Sequence, residues 1–456
     1  MIALLLACTS EPAIDAAPVG KVAEHAGMDG WVRASVDPVE GEVVGYIGYS
    51  VRPVSLQVFE GYRVSAALWL PAGEVHGGVL MAHGHFGQGK SSGEAQGPAH
   101  LFARNGYAVL AVDTPGVEEG ARPDRAIHFD EGAANRALLW SHDSSAMAVQ
   151  LHGLQAGLDY LQGYSEELVV AGSSGGAVQA LYLLFVDPRP KAAVLASMVP
   201  VPREARASGC ACDVLPGWEG PDPSLVAAIP KPVLWMTEVA GSGAPTGLPR
   251  TGSYEVHPGG HGFEADMQRS ALAFLHEHLG GNQHFVEVAH TPEAALASKG
   301  VGTVGLAELA AGLPGTRQVT AGTAPGLTLA CTGEGPRVLT LGADEGDKAA
   351  LVGFEQCAVD LQADPLGPTV GLVLNTSYAM GMAEAVATAG GPIYAVGPWA
   401  VVAALSGQVY VARDPMGAPD HSAPAWAVHP GLDPTYPTAL AVGSDPAVLA
   451  LALLDQ

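Results

Sequence analysis

The chain has few basic residues. Its 456 residues include 21 Lys and Arg against 46 Asp and Glu, which gives a formal net charge of −25. Nucleic acids and anionic membrane surfaces attract proteins through clustered Lys and Arg. This deficit argues against both kinds of partner, and it identifies no substrate.

Long apolar segments are also missing, because no stretch past the amino terminus is long and apolar enough for a transmembrane helix. Apolar residues still make up 48% of the chain and charged residues only 15%, which indicates a globular protein. A chain of 456 residues exceeds one ordinary hydrophobic core, so we expect two domains.

The amino terminus resembles an export signal. Leu5-Leu6-Ala7-Cys8 is similar to a bacterial lipobox, in which Cys8 becomes the acylated first residue. Residues 9–20, rich in Ala and Pro, would then be a tether. No Lys or Arg precedes the apolar run, and the run is shorter than usual. We expect an exported protein that is secreted, or anchored to a bacterial membrane only through Cys8.

Cysteines are scarce, and metal signals are weak. Apart from the amino-terminal one, the cysteines are Cys210, Cys212, Cys331 and Cys357. An even number in an exported protein allows disulfides without fixing their connectivity, and Cys331 with Cys357 is one candidate pair. A C-x-C alone is a poor zinc signal, and H-E-x-x-H is absent. We expect no metal and no cofactor.

The segment from Glu167 to Leu184, EELVVAGSSGGAVQALYL, is the most informative in the chain. A short apolar strand is followed by a glycine-rich turn and then by a helical pattern. Strand, G-x-S-x-G and helix together are typical of a nucleophile elbow, which exposes the hydroxyl of Ser174 at the tip of the turn. The helix after the turn directs its amino-terminal N–H groups toward any oxyanion that forms there.

Apolar strands alternate with helices around this segment. The predicted strands are 54–59, 64–70, 78–83, 107–113, 168–171, 191–198, 232–237 and 252–256, and the predicted helices are 98–105, 145–161, 177–182 and 263–279. This alternation predicts an α/β fold with a mostly parallel sheet covered by helices on both faces. We expect a leader and linker at 1–27 and a catalytic domain at 28–282.

The pattern restarts at about residue 283, which predicts a second, smaller α/β domain over 283–456. Strands are expected at 336–342 and 369–374, and helices at 347–360 and 379–389. Residues 393–405, IYAVGPWAVVAAL, share a strand–turn–helix shape with 169–181, VVAGSSGGAVQAL, and Pro398 stands at the position of the serine. The second domain is therefore either a degenerate, inactive copy of the first or an unrelated small α/β domain.

A serine nucleophile needs a base, usually a histidine that is itself oriented by a carboxylate. The histidines that follow the elbow in the first domain are His257, His261, His276 and His278. His261 is favoured because its glycine-flanked loop, Gly259 to Phe263, lies between a strand and a helix. His276 and His278 fall near the polar end of the helix, where solvation is expected.

The acid should follow the strand 232–237, and Glu238 stands at its carboxyl end. Asp213 and Asp222, in the preceding loop, are the alternatives. The oxyanion hole should combine the N–H of Gly175 with the N–H of His85, which lies in the glycine-rich loop after the strand 78–83.

Several stretches together resemble the α/β-hydrolases, and among them the acetyl-xylan-esterase-like and dienelactone-hydrolase-related bacterial esterases. They are AHGHFGQGK at 82–90, ARNGYAVLAVDTPG at 103–116, LHGLQAGLDYLQ at 151–162, VVAGSSGGAVQALYLLFVDPRPKAAV at 169–194, GCACD at 209–213, IPKPVLWMTE at 229–238 and GGHGF at 259–263. The resemblance covers about 61–279. The family usually carries an Asp shortly after the seventh strand, whereas the turn 239–242 has none.

The resemblance implies that Ser174 is the nucleophile and His261 the base of a serine carboxylesterase. It also implies a small ester substrate with a short acyl group, such as acetyl on a carbohydrate. Two alternatives stay open, a peptidase or lipase on the same fold and a non-catalytic cell-surface binding protein. An intact Ser–His pair favours the enzyme.

Overall fold

The computed structural model describes only part of the chain. The described residues are 17–117, 123–128, 135, 136, 139, 142, 144–198, 212, 215, 229, 231–238, 252–285, 290–298, 300, 302, 304–313, 327–341, 345–361, 392–396, 410–413 and 439–443. The predictions made for Cys8, Cys210, Asp213 and Asp222 lie outside them. Among the helices of this part, none is both long and apolar enough to cross a membrane.

The first sheet has ten strands in the described residues, and they include every strand predicted before residue 283. They are β1 (Val39–Glu40), β2 (Val44–Tyr46), β3 (Tyr49–Phe59), β4 (Tyr62–Pro71), β5 (Gly77–Ala82), β6 (Tyr107–Val112), β7 (Leu168–Ser173), β8 (Pro190–Ala196), β9 (Val233–Glu238) and β10 (Gly252–His257). The main strand order is β1-β3-β4-β6-β5-β7-β8-β9-β10, and β2 pairs with β3. The strands from β6 to β10 in this order run parallel, whereas β3 and β4 are antiparallel to their neighbours.

Helices accompany both faces of this sheet. They are α1 (Ala17–Ala26), α2 (Gly93–Arg104), α3 (Ala146–Leu161), α4 (Gly175–Val186), α5 (Ala265–Leu279), α6 (Glu293–Leu296) and α7 (Leu306–Ala311). Side chains alternate along each strand, so Leu80 joins one core with α3 and α4, while Val79 and Met81 join another with α2 and α5. Burial on both faces explains why the central strands are apolar throughout.

The expectation of a linker through residue 27 does not hold for residues 17–27. Val22 and Ala26, one helical turn apart on α1, are fully buried in the first core. The hydroxyls of Ser144 and Ser145 donate to the carbonyl oxygens of Gly27 and Ala26 at 2.9 and 2.7 Å. An alanine-rich composition resembles a tether, but here a helix packs against α4.

The described residues between 290 and 313 also pack on the first sheet, although the predicted boundary at 282 would assign them to the second domain. Leu296, Leu306 and Ala310 are fully buried in its two cores. The Thr291 N–H donates to Gln96 Oε1 on α2 at 2.7 Å. These contacts favour a domain boundary after residue 313, which we propose in place of 282.

A second sheet follows. Its strands are β11 (Leu327–Thr332), β12 (Arg337–Leu341), β13 (Glu355–Leu361), β14 (Ile393–Val396), β15 (Tyr410–Arg413) and β16 (Ala439–Gly443), with α8 (Glu345–Ala350) between β12 and β13. The helix predicted over 347–360 is wrong in its second half, because residues 355–361 form β13. That strand pairs with β11 and β12, and the candidate disulfide Cys331–Cys357 joins β11 to β13.

The second sheet repeats the topology of the first. Its order, β11-β13-β12-β14-β15-β16, matches β4-β6-β5-β7-β8-β9, and in both the first strand is antiparallel and the others are parallel. In this correspondence β14 takes the place of β7, as the comparison of 393–405 with 169–181 requires. The topology supports a degenerate copy over an unrelated domain. Pro398 lies outside the described residues.

Candidate active site

Ser174 lies at the sharp turn between β7 and α4. Its φ is 55° and its ψ is −123°, a conformation that a residue with a Cβ rarely adopts. A Cβ at Gly172 would overlap the Gly176 carbonyl, and one at Gly176 would overlap the Ala82 carbonyl. Only glycine therefore fits at both positions, and the strained turn holds the Ser174 hydroxyl clear of the sheet.

The structure brings one of the four candidate histidines to this hydroxyl. His261, in the loop between β10 and α5, has its Nε2 2.8 Å from Ser174 Oγ. His257 instead contacts Glu255 Oε2 at 3.0 Å, and His276 Nδ1 contacts the Gly281 carbonyl. The glycine-flanked loop therefore brings its histidine within hydrogen-bond distance of the serine.

Glu238 completes a chain of hydrogen bonds. It ends β9, its side chain is 8% exposed, and its Oε1 lies 2.8 Å from His261 Nδ1. Burial would raise the pKa of this carboxyl, but hydrogen bonds from His261 and from its own backbone N–H hold the pKa below its usual range. Glu238 is therefore an anion at neutral pH. Its carboxylate reaches the histidine although it stands at the end of the strand, and not in the following turn, where the resembled family usually carries an Asp.

This arrangement fixes the tautomer of His261. An ionised carboxylate only accepts hydrogen bonds, so Nδ1 carries the proton that it donates to Glu238. The lone pair on Nε2 then accepts the hydroxyl proton of Ser174. The three side chains can pass a proton from serine to histidine while the carboxylate stabilises the resulting imidazolium.

The loop of His261 is held from one side by Ser197, which the sequence did not identify. Ser197 follows β8 and has a positive φ of 46°. Its buried hydroxyl donates to the Gly262 carbonyl at 2.6 Å and accepts from the Gly262 N–H at 3.0 Å. The sequence signal for Ser197 is its position at the carboxyl end of a parallel strand, because side chains at such ends converge on one edge of the sheet.

Glu94 holds the same loop from the other side. It belongs to the first turn of α2, and its carboxylate accepts a hydrogen bond from the Phe263 N–H. Burial raises the pKa of this carboxyl. Ser197 therefore fixes Gly262, the residue after His261, and Glu94 fixes Phe263, the next residue of the loop.

The backbone segments that carry the predicted oxyanion donors border the serine. Gly175 is the first residue of α4, so its N–H lies outside the intrahelical hydrogen-bond ladder. Gly84 packs so closely that a Cβ there would lie 2.8 Å from Ser174 Cβ, and His85 comes next in the chain. The two backbone segments therefore border the same side chain, and their roles as donors stay predictions.

A buried ion pair anchors the glycine-rich loop. Lys90 Nζ lies 2.6 Å from Asp113 Oδ2, and the Lys90 N–H donates to Asp113 Oδ1 at 2.7 Å. Both side chains are only 2% exposed. Burial would raise the pKa of Asp113, but the Lys90 charge and the hydrogen bond with His83 hold it below its usual range. The end of β6 thus fixes the loop that contains Gly84 and His85.

One cluster has the residue types of a metal site, although the sequence predicts none. His85 Nε2, His128 Nδ1 and Cys212 Sγ lie within 4.8 Å of one another. The sequence alone gives no signal for this cluster, because its three residues are far apart in the chain and form no spaced motif. Cys331, Glu355 and Cys357 also come together, but their two cysteines form the disulfide.

No protein-family model and no curated protein matches the sequence. Among solved structures, the methylesterase BT1017 is similar over 65% of this chain and 73% of its own, with 19% identity and a TM-score of 0.51. An acetyl xylan esterase from Paenibacillus sp. R4 covers 59% of this chain and 96% of its own, with 16% identity and a TM-score of 0.42. Acetyl xylan esterase 1 from Thermoanaerobacterium sp. JW/SL YS485 covers 57% and 92%, with 13% identity and a TM-score of 0.40. Together with the strand order and the elbow, the first of these similarities shows that the chain has the α/β-hydrolase fold.

Proposed function

We propose that this protein is a serine carboxylic-ester hydrolase with Ser174 as nucleophile, His261 as general base and Glu238 as the orienting acid. The observation that carries the proposal is the unbroken series of hydrogen bonds from Ser174 Oγ through His261 to Glu238, each 2.8 Å long. A nucleophile, a base and an orienting group in mutual contact form the arrangement that activates a serine hydroxyl.

In the first half of the reaction, Ser174 Oγ bonds to the ester carbonyl carbon while its proton passes to His261 Nε2. The N–H groups of Gly175 and His85 stabilise the negative charge on the carbonyl oxygen. The C–O bond to the alcohol then breaks, and the alcohol leaves with the proton from Nε2. The acyl group stays on Oγ as an acyl-enzyme.

Water completes the cycle. It attacks the acyl carbon, gives its proton to His261 and forms a second tetrahedral intermediate. The bond to Oγ breaks, Ser174 regains its proton, and the carboxylic acid is released. Glu238 keeps the imidazole in the same orientation during both halves of the reaction.

The substrate that we propose is a small ester with a short acyl group, such as an acetylated carbohydrate. The sequence motifs at 82–90, 169–194 and 259–263 support this choice through their resemblance to acetyl-xylan-esterase-like proteins. A methyl ester is the comparison substrate, because BT1017 is a methylesterase.

Hydrolysis of p-nitrophenyl acetate and butyrate by the wild type and by Ser174→Ala tests the activity. Loss of the serine costs about 10⁶-fold in kcat in a protease of this mechanism, and we expect a loss of the same order. An acetylated xylo-oligosaccharide and a methyl-esterified oligosaccharide of a uronic acid then separate the two substrate classes. Turnover that persists in the alanine variant, or a folded wild type without turnover, would contradict the proposal.

We also propose that the protein is exported and acylated at Cys8, and that the second domain is non-catalytic. Labelling of producing cells with a radioactive fatty acid should mark the wild type and not Cys8→Ser. Absence of label in the wild type would refute the anchor. A chain truncated after residue 313 should keep its esterase activity, and loss of activity in a folded truncation would refute the non-catalytic role.

A further inference from the structure

Three residues that follow different parallel strands come together. His85 comes after β5, His128 after β6 and Cys212 after β8. The carboxyl ends of parallel strands lie at one edge of the sheet, so residues distant in sequence meet there. Cys212 is fully buried and the two imidazoles are half-buried.

The donor atoms of these residues point at one another. His85 Nε2 lies 3.0 Å from Cys212 Sγ, and His128 Nδ1 lies 3.2 Å from it. The imidazole rings are perpendicular, with an interplanar angle of 87°. The two rings therefore present their nitrogens to the sulfur from different directions and do not stack.

Thr114 orients one of the imidazoles. Its Oγ1 lies 2.7 Å from His128 Nε2, on the side of the ring away from the sulfur. If Nε2–H donates to this hydroxyl, the lone pair of Nδ1 faces Cys212. A ligating histidine typically donates its other N–H to an oxygen in this way, which fixes the tautomer that binds a metal.

We propose that His85 Nε2, His128 Nδ1 and Cys212 Sγ bind a zinc ion. Neutral imidazole and thiolate are the ligands that zinc prefers, and two histidines with one cysteine leave a fourth position for water or a substrate oxygen. Bond lengths of about 2.3 Å to sulfur and about 2.05 Å to nitrogen place tetrahedral ligands about 3.6 Å apart. The N···S separations need to grow by only about 0.5 Å to reach this geometry.

Zinc binding replaces the thiol proton of Cys212, which is released to solvent, so that affinity falls at low pH. The ion would join the loop of His85 to the loop of Cys212. Because the Gly84 backbone packs against Ser174, this connection would also fix the loop that borders the nucleophile. The site does not depend on the proposed ester hydrolysis.

Metal content of the full chain tests the proposal directly. Protein is stripped with a chelator without reductant, so that the Cys331–Cys357 disulfide stays closed, and is then loaded with zinc, dialysed and measured by elemental mass spectrometry. We expect one bound equivalent in the wild type and in the control His276→Asn, whose imidazole is exposed on α5. We expect that equivalent to be lost in His128→Ala and Cys212→Ser. A wild type without zinc, or a Cys212→Ser variant that retains it, would overturn the proposal.

Cobalt gives a readout that needs no variant to fold. Cobalt(II) bound by a thiolate shows an intense sulfur-to-metal charge-transfer band in the near ultraviolet. We expect this band in the cobalt-loaded wild type, and we expect zinc to displace it. Bound cobalt without the band would show that Cys212 is not a ligand and would overturn the site.

Discussion

Replacement of Glu238 by glutamine probes the orientation of His261. Glutamine keeps the size of the side chain and removes its charge. The carboxylate accepts hydrogen bonds from His261 and from its own backbone N–H. In the variant, the amide oxygen should keep the backbone N–H donor, and the amide NH₂ should then face Nδ1. That contact favours the tautomer with the proton on Nε2, which can no longer accept the proton of Ser174.

The expected magnitude follows from the geometry. The Glu238–His261 hydrogen bond is 2.8 Å long and the carboxylate is only 8% exposed, so solvent cannot substitute for it. The equivalent change in a serine protease leaves the geometry intact and lowers kcat by about 10⁴. At about 1.36 kcal/mol for each tenfold, this corresponds to about 5.5 kcal/mol of transition-state stabilisation. We expect the same order of loss, mainly in kcat.

Steady-state hydrolysis of p-nitrophenyl acetate measures the effect. Glu277→Gln is the matched control, because Glu277 is exposed on α5 and should leave kcat unchanged. A Glu238→Gln variant within tenfold of the wild type would refute the reasoning. Asp213→Asn and Asp222→Asn then identify the acid, since a large loss in either would transfer the role from Glu238.

Three further predictions concern stability and positioning. Asp113→Asn should destabilise the fold by about 3–5 kcal/mol, because it leaves the Lys90 ammonium buried without its counter-ion. Ser197→Ala should lower kcat more than it changes KM and should cost about 1–3 kcal/mol, because it leaves two buried backbone groups unpaired. Cys357→Ser opens a link across a sequence separation of 26 residues and should cost the second domain about 3.5 kcal/mol by loop entropy.

Urea unfolding measures the three losses of stability, and steady-state kinetics measures kcat and KM of Ser197→Ala. Asp266→Asn is the control for the ion pair. Asp266 and Arg269 are each about half exposed, so this change should cost at most about 1 kcal/mol. Equal losses for Asp113→Asn and Asp266→Asn would contradict the buried-pair argument. An unchanged kcat in Ser197→Ala would refute its positioning role, and unaltered unfolding of Cys357→Ser would refute the disulfide contribution.

Asp113 also predicts a pH dependence. Although burial alone would raise its pKa, the Lys90 charge and His83 hold the folded-state pKa below the unfolded value of about 3.9. The stabilisation is thus present above about pH 4 and is lost as the pH falls through the lower folded value. Urea unfolding of the wild type at a series of acidic pH values should show this loss, and Asp113→Asn should show less of it. Parallel curves for the two proteins would contradict the argument.

The elbow and the histidine loop could be predicted from sequence because their signals are local. A strand, a G-x-S-x-G turn and a helix follow one another at 168–186, and Gly259 to Phe263 stand between a strand and a helix. Glu238 could be predicted because it ends a recognisable strand. Each prediction needed only the order of elements along the chain.

Features that depend on tertiary contacts could not be predicted. Residues 355–361 look helical in isolation but become β13 between two other strands. The alanine-rich sequence of α1 resembles a linker, whereas in the structure the buried face of this helix packs against α4. His128 and Cys212 follow two strands that end at the same edge of the sheet, with two other strands between them, and no sequence spacing reveals that they meet.

The measurement that tests the central claim most directly is covalent trapping of the nucleophile. An organophosphorus ester that phosphorylates activated serines is added to the folded wild type, and the labelled peptide is identified by mass spectrometry. We predict one label on Ser174, no label in Ser174→Ala and slower labelling in Glu238→Gln. A label on another residue, or none on the folded wild type, would contradict the account.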